Sequence, residues 1–145
     1  MKKIMILFIC VLGFNYAETI QANVIAVNVK GNDGAYRFSV TLKSTETGCA
    51  QYADWWEVLS KEGTLLYRRI LVHSHPDTQP FTRSGGFVKI DKDDTVYVRA
   101  HMNTLGYVGD VFEGSVSKGF NKSKVIPLFP KTLETKEPLP NGCAF

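Results

Sequence analysis

Residues 36–43 alternate without a break: Tyr36, Phe38, Val40 and Leu42 are apolar, while Arg37, Ser39, Thr41 and Lys43 are polar. Successive side chains of an extended chain point to opposite faces, so this order makes one dry face and one wet face. A helix would scatter the same residues around its circumference. The stretch is therefore a strand with one face on a core, and a single strand cannot supply that core. Other segments repeat the pattern. Residues 23–30 set Ile25, Val27 and Val29 on one face. Residues 95–102 set Val96, Val98, Ala100 and Met102 inward, with Tyr97, Arg99 and His101 outward. Segments 54–59, 65–73, 87–90 and 111–116 complete the set. No stretch of ten residues carries helical periodicity, and there is no internal repeat.

The strands are separated by turn-forming clusters: Gly31-Asn32-Asp33-Gly34, Lys61-Glu62-Gly63, Asp91-Lys92-Asp93-Asp94 and a Gly-containing loop over 103–109. Pro76-Asp77-Thr78-Gln79-Pro80 and Arg83-Ser84-Gly85-Gly86 read as one long loop. Gly63 in the left-handed position of a three-residue loop would put Trp56 and Val58 on a face with Leu66, Ile70 and Val72. Trp55, Glu57, Tyr67, Arg69, Leu71 and His73 would share the other face, and a two-residue turn would reverse the second strand. About seven short strands between Gly, Pro and Asp turns predict an all-β sandwich over 23–118. Its expected core holds Phe38, Val40, Leu42, Trp56, Val58, Val96, Val98 and Ala100. From 119 to 145 the character changes. Pro127, Pro130, Pro138 and Pro140 occur among Lys122, Lys124, Lys131 and Lys136, which predicts an extended Pro-rich C-terminal tail. Val125, Ile126, Leu128 and Phe129 are the residues to pin it down.

Residues 1–22 lie outside this pattern. Lys2 and Lys3 precede an apolar run over 4–14, too short for the roughly 20 residues that cross a bilayer. It suits the central region of a secretory signal peptide, with cleavage at Ala22 and Ala17 as second choice. A competing reading acylates Cys10, although Leu7-Phe8-Ile9 lacks the small residues that normally precede such a cysteine. The expected location is periplasmic or extracellular, with no stable membrane span. Processing at Ala22 leaves 15 basic and 13 acidic residues, and two cysteines, Cys49 and Cys143. In an oxidising compartment this pair reads as one disulfide closing about 95 residues, worth about 4–5 kcal/mol by loop entropy. No paired Cys-x-x-Cys spacing supports redox chemistry or a zinc ribbon.

Asp94-Thr95-Val96-Tyr97-Val98-Arg99-Ala100-His101-Met102-Asn103, followed by Gly106, resembles the penultimate strand and following loop of fibronectin type III and related immunoglobulin-like domains. Strand spacing over 36–116 is compatible with that resemblance, which implies an immunoglobulin-like sandwich. Two features depart from it: the cysteines are not the usual inter-sheet pair, and the loop over 73–86 is long. The runs 51–59 (Gln51-Tyr52-Ala53-Asp54-Trp55-Trp56-Glu57-Val58-Leu59) and 79–86 also look like those of an uncharacterised group of small exported bacterial proteins. No activity comes with that likeness.

Three histidines exist. His73 and His75, two apart, point to one side of a strand, and His101 projects outward from another. Converged, they would bind copper or zinc. Asp77 or Met102 could add a ligand, and Glu57 or Asp77 could accept from the outer ring nitrogens. Separate surface and loop histidines are the other reading. Trp55, Trp56, Tyr52, Tyr67 and Tyr97 raise a sugar-stacking platform, but adjacent tryptophans in a strand face opposite ways, so at most one is free. Ser74 and Ser84 lie in no nucleophile elbow, and Asp91, Asp93 and Asp94 lack the Gly and distal Glu of a calcium loop. No phosphate loop or dinucleotide fingerprint occurs. A net charge of +3, evenly spread, gives no ground for nucleic-acid binding. The expectation is an exported, non-catalytic binding module of unknown protein or glycan partner, without cofactor. Its surface would combine Tyr52, Trp55, Tyr67, Arg69, Tyr97 and Arg99 with the 76–86 loop. A copper or zinc site and a carbohydrate-binding module are the alternatives.

Overall fold

A computed structural model describes residues 19–125 and 127–144. The apolar run and Cys10 lie outside the described residues. Eight strands follow in order: β1 (Ala22–Asn32), β2 (Ala35–Ser44), β3 (Ala53–Ser60), β4 (Leu65–Ile70), β5 (Phe81–Val88), β6 (Val96–Met102), β7 (Phe112–Ser115) and β8 (Gly119–Lys122). They form two sheets, β1-β2-β5 and β4-β3-β6-β7-β8. Every neighbouring pair is antiparallel. The inner faces share one core: Phe38, Val40 and Leu42 from one sheet and Trp56, Val58, Val96, Val98 and Ala100 from the other are all buried together. The expected core is therefore present, in a sandwich-like stack of two layers.

Three sequence expectations give way to irregularities of register. In β1 the pairing slips between Val24 and Ala26, so Ile25 is the extra residue and is 41% exposed. Val27 and Val29 still pack against the core. In the β3–β4 hairpin Gly63 does adopt a left-handed φ of 83°, but Leu66 is an extra residue between the pairs Val58–Tyr67 and Leu59–Leu65. That bulge reverses the expected faces. Tyr67 and Arg69 now lie opposite Val58 and Trp56, and Arg68 and Ile70 lie opposite Glu57 and Trp55. Finally, β5 starts at Phe81 rather than at Phe87, so residues 81–86 belong to the sheet.

The last difference has a packing cause. Gly85 and Gly86 read as loop residues, yet they let β5 pass beneath an aromatic ring. A side-chain carbon at Gly85 would stand 2.6 Å from Tyr67 and 2.7 Å from Trp56. The Tyr67 hydroxyl accepts from the Gly86 N–H at 2.6 Å, which ties β4 of one sheet to β5 of the other. The chain after β8 runs across the outer face of the five-stranded sheet and holds a short 3-10 turn at Lys131–Thr135. The Cys49–Cys143 bridge is present, with α-carbons 5.5 Å apart.

Candidate functional site: the covered face of the five-stranded sheet

Strand β3 lies between β4 and β6, and its register sets each outward residue between two partners. Glu57 lies opposite Arg68 of β4 and Arg99 of β6; Trp55 lies opposite Ile70 and His101. Glu57 is fully buried and bridges both arginines. Arg68 donates to Oε2 from Nε at 2.9 Å and from Nη2 at 2.6 Å, and Arg99 Nε donates to Oε1 at 2.8 Å. Charge burial of this kind is tolerable only when the remaining donors are satisfied. For Arg68 they are. Its guanidinium also donates to the Leu133, Lys136 and Pro138 carbonyls and to the Tyr107 hydroxyl at 3.3 Å. Three of these acceptors come from the C-terminal segment, so that segment completes the network.

Stacking fills the rest. The Trp55 indole lies between the His101 ring, 3.6 Å between centroids, and the Arg68 guanidinium at 4.5 Å. Arg99 sits over the Tyr107 ring at 3.3 Å, with the Phe129 ring 4.8 Å away. Asp54, at a register slip between Ala53 and Trp55, accepts from or pairs with His101 Nδ1 at 2.6 Å. Burial, and then the neighbouring Glu57 charge, push the Tyr107 phenol up to about 12. Among the described residues no hydroxyl or thiol hydrogen-bonds His101, and the Tyr107 ring lies 4.9 Å from it.

The structure does not bring the three histidines together. His101 is under the C-terminal segment. His73 is exposed, with Nδ1 2.9 Å from the Ala144 carbonyl. His75 stacks on Phe81 and takes Arg83 Nη2 at 2.5 Å on its Nε2. Burial, and then Arg83, hold the His75 imidazole below its usual range. Among the described residues no group of three or more His, Cys, Asp or Glu gathers. The three-ligand geometry expected of His73, His75 and His101 is thus absent from these positions.

The expected docking surface is largely occupied from within. Tyr52, Trp55 and Arg99 are buried, Tyr67 and Tyr97 are half-buried, and Arg69 is exposed at the sheet edge. Tyr67 faces the other sheet rather than solvent. Arg68, Tyr107 and the hub Glu46 were not singled out from sequence. Glu46 binds the His75 N–H and the Ser44 and Ser74 hydroxyls. The reversed hairpin faces hid Arg68, while Tyr107 sits in a loop without periodicity.

A curated protein of Halomicrobium mukohataei named "Putative lipoprotein" is 38% identical over 104 residues, 71% of this chain. The chain spans about half of that relative's length, 51%. No family model matches the chain, and no solved structure matches it. No helix among the described residues is long and apolar enough to cross a membrane.

Proposed function

We propose that this is an exported, non-catalytic binding module of the cell envelope with an immunoglobulin-like sandwich, and that it docks through the outer face of β1-β2-β5. The strand orders 1-2-5 and 4-3-6-7 correspond to the two sheets of the fibronectin type III arrangement, with β8 added at the edge of the second. The likeness to a protein named as a lipoprotein supports the envelope location. One observation carries the docking surface: the outward positions of β1 and β2 hold Lys30, Arg37 and Lys43, and β1, β2 and β5 contain no acidic residue. Lys30, Arg37 and Lys43 are exposed, and Arg37 lies 4.8 Å over the ring of Phe87, itself 66% exposed. Cations around an exposed aromatic suit a partner that presents negative charge.

The test is sedimentation of the purified mature protein with isolated cell envelopes at low and high salt. The double variant Arg37→Glu/Lys43→Glu is expected to lose most of the bound fraction, while Arg69→Glu on the opposite sheet keeps it. Equal binding by all three proteins overturns the proposed face.

Processing after Ala17 fits this fold better than processing after Ala22. Ala22 is 1% exposed and donates to the Val108 carbonyl at 2.7 Å. The Gln21 carbonyl accepts from Thr45, and Ile20 packs on the core. N-terminal sequencing of the exported protein is expected to begin at Glu18; a start at Asn23 counts against this reading, and an acylated Cys10 would replace it.

A further inference from the structure

The chain between β4 and β5, residues 71–80, lies outside both sheets, and two side chains fasten its middle. The first is Glu46, fully buried on the loop between β2 and β3. Its Oε2 accepts from the His75 N–H and the Ser74 hydroxyl, and its Oε1 from the Ser44 hydroxyl and the Ala53 N–H. The second is the ring of His75, only 10% exposed. It stacks on Phe81 with 4.0 Å between centroids, and its Nε2 lies 2.5 Å from Arg83 Nη2.

That last contact fixes the state of the imidazole. A guanidinium stays protonated and can only donate, so Nε2 must accept and the ring must be neutral, with its proton on Nδ1. Nδ1 is buried and has no hydrogen-bond partner among the described residues. Glu46 Oε2 stands 3.9 Å from it, beyond hydrogen-bond reach. The ring therefore sits between a cation that it holds and a carboxylate that it does not reach. Three charged or titratable groups act on it: Arg83 and His73 oppose a second proton, and Glu46 favours one.

We propose that His75 is an acid-operated switch that exchanges Arg83 for Glu46. A proton on Nε2 turns the acceptor into a donor and sets two cations against each other, so Arg83 leaves. The positive ring then turns Nδ1–H toward Glu46 Oε2, where it competes with the Ser74 hydroxyl at 3.1 Å. Both fastenings change together, and residues 74–80 loosen. The direction with pH follows from the ring's surroundings. Burial, and then Arg83, lower the folded imidazole below its ordinary 6.5. Well above that pH both states carry a neutral ring, and its contribution to stability is complete. As pH falls below it the unfolded chain takes the proton first, so stability drops until the folded ring is protonated too. The switch does not rest on the docking face, whose outward cations do not include Arg83.

The experiment follows the imidazole nitrogens and backbone amides of the intact protein by NMR, from about pH 8 to about pH 4. At neutral pH the wild-type ring is expected to carry its proton on Nδ1, and it should titrate below the other two histidines. Amide exchange over 74–80, corrected for its intrinsic pH dependence, should rise about tenfold through that titration while the strands keep their protection. Arg83→Met should move the His75 titration upward. His75→Phe keeps a ring on Phe81 and should abolish the acid response. A wild-type proton on Nε2 at neutral pH, a titration unmoved by Arg83→Met, or loosening that persists in His75→Phe overturns the proposal. The first of these needs no variant, so a substitution that fails to fold leaves the test intact.

Discussion

On the outer face of β2 and β5, Ser39 meets Ser84 and Thr41 meets Thr82, hydroxyl to hydroxyl at 2.7 and 2.8 Å. Across β3 and β6 the equivalent cross-strand place holds Glu57 against Arg99. The first pair satisfies itself and leaves its surroundings to water. The second carries opposite charges that water no longer reaches, since chain from beyond β8 lies over it. Both are ordinary cross-strand pairs. What separates them is the cover: a solvated face asks little of its residues, while a covered charge needs acceptors from the chain itself, as Arg68 finds in the Leu133, Lys136 and Pro138 carbonyls.

The strongest way to break this contrast is Glu57→Gln. Two buried guanidinium groups would lose their counter-charge, and the expected cost is about 3–5 kcal/mol in chemical denaturation. Next comes the double variant Cys49→Ser/Cys143→Ser. Opening a closure of 94 residues should cost about 2–5 kcal/mol, with the loop-entropy value at the upper end. Amide exchange should then rise first in the 3-10 turn Lys131–Thr135, because the cover is released before the sheets separate. A loss spread evenly over both sheets would contradict that order.

A smaller effect appears with alkali. The unfolded Tyr107 phenol ionises near 10 and the folded one at about 12. Below pH 10 both states keep the proton, and the full contribution is present. Between pH 10 and 12 the unfolded state loses its proton first, so stability falls as pH rises. Tyr107→Phe should flatten that part of the profile, and an unchanged slope would place the decline elsewhere. The smallest effect belongs to the bare face: Arg37→Glu/Lys43→Glu should change stability by less than about 0.5 kcal/mol. A larger loss would mean that this face, too, is structurally engaged.

Period-2 alternation was enough to place the inner faces, because burial imposes it directly: Phe38, Val40, Leu42, Val96 and Val98 all lie where their spacing put them. The outer faces were harder. Polar residues outward from a strand look the same whether water or more protein follows, so Trp55, Arg99 and His101 read as surface. Single-residue bulges at Ile25 and Leu66 leave no mark in composition but swap faces beyond them. The Gly85-Gly86 pair shows the converse. Its turn-like composition serves a close approach by Tyr67 and Trp56, which only the assembled sheets make visible.

The position of Cys143 fixes a sequence of events. It follows all eight strands and the 3-10 turn in the chain, whereas Cys49 lies between the second strand and the third. During synthesis, Cys49 has no Cys143 to pair with until everything that the cross-link will enclose has been made. Within residues 19–144 the two cysteines have a single possible pairing, so no shuffled isomer can form between them. The bond acts as a timestamp on the finished molecule: a chain stopped short of Cys143 would carry a titratable thiol at Cys49, and a thiol count would tell truncated from completed copies.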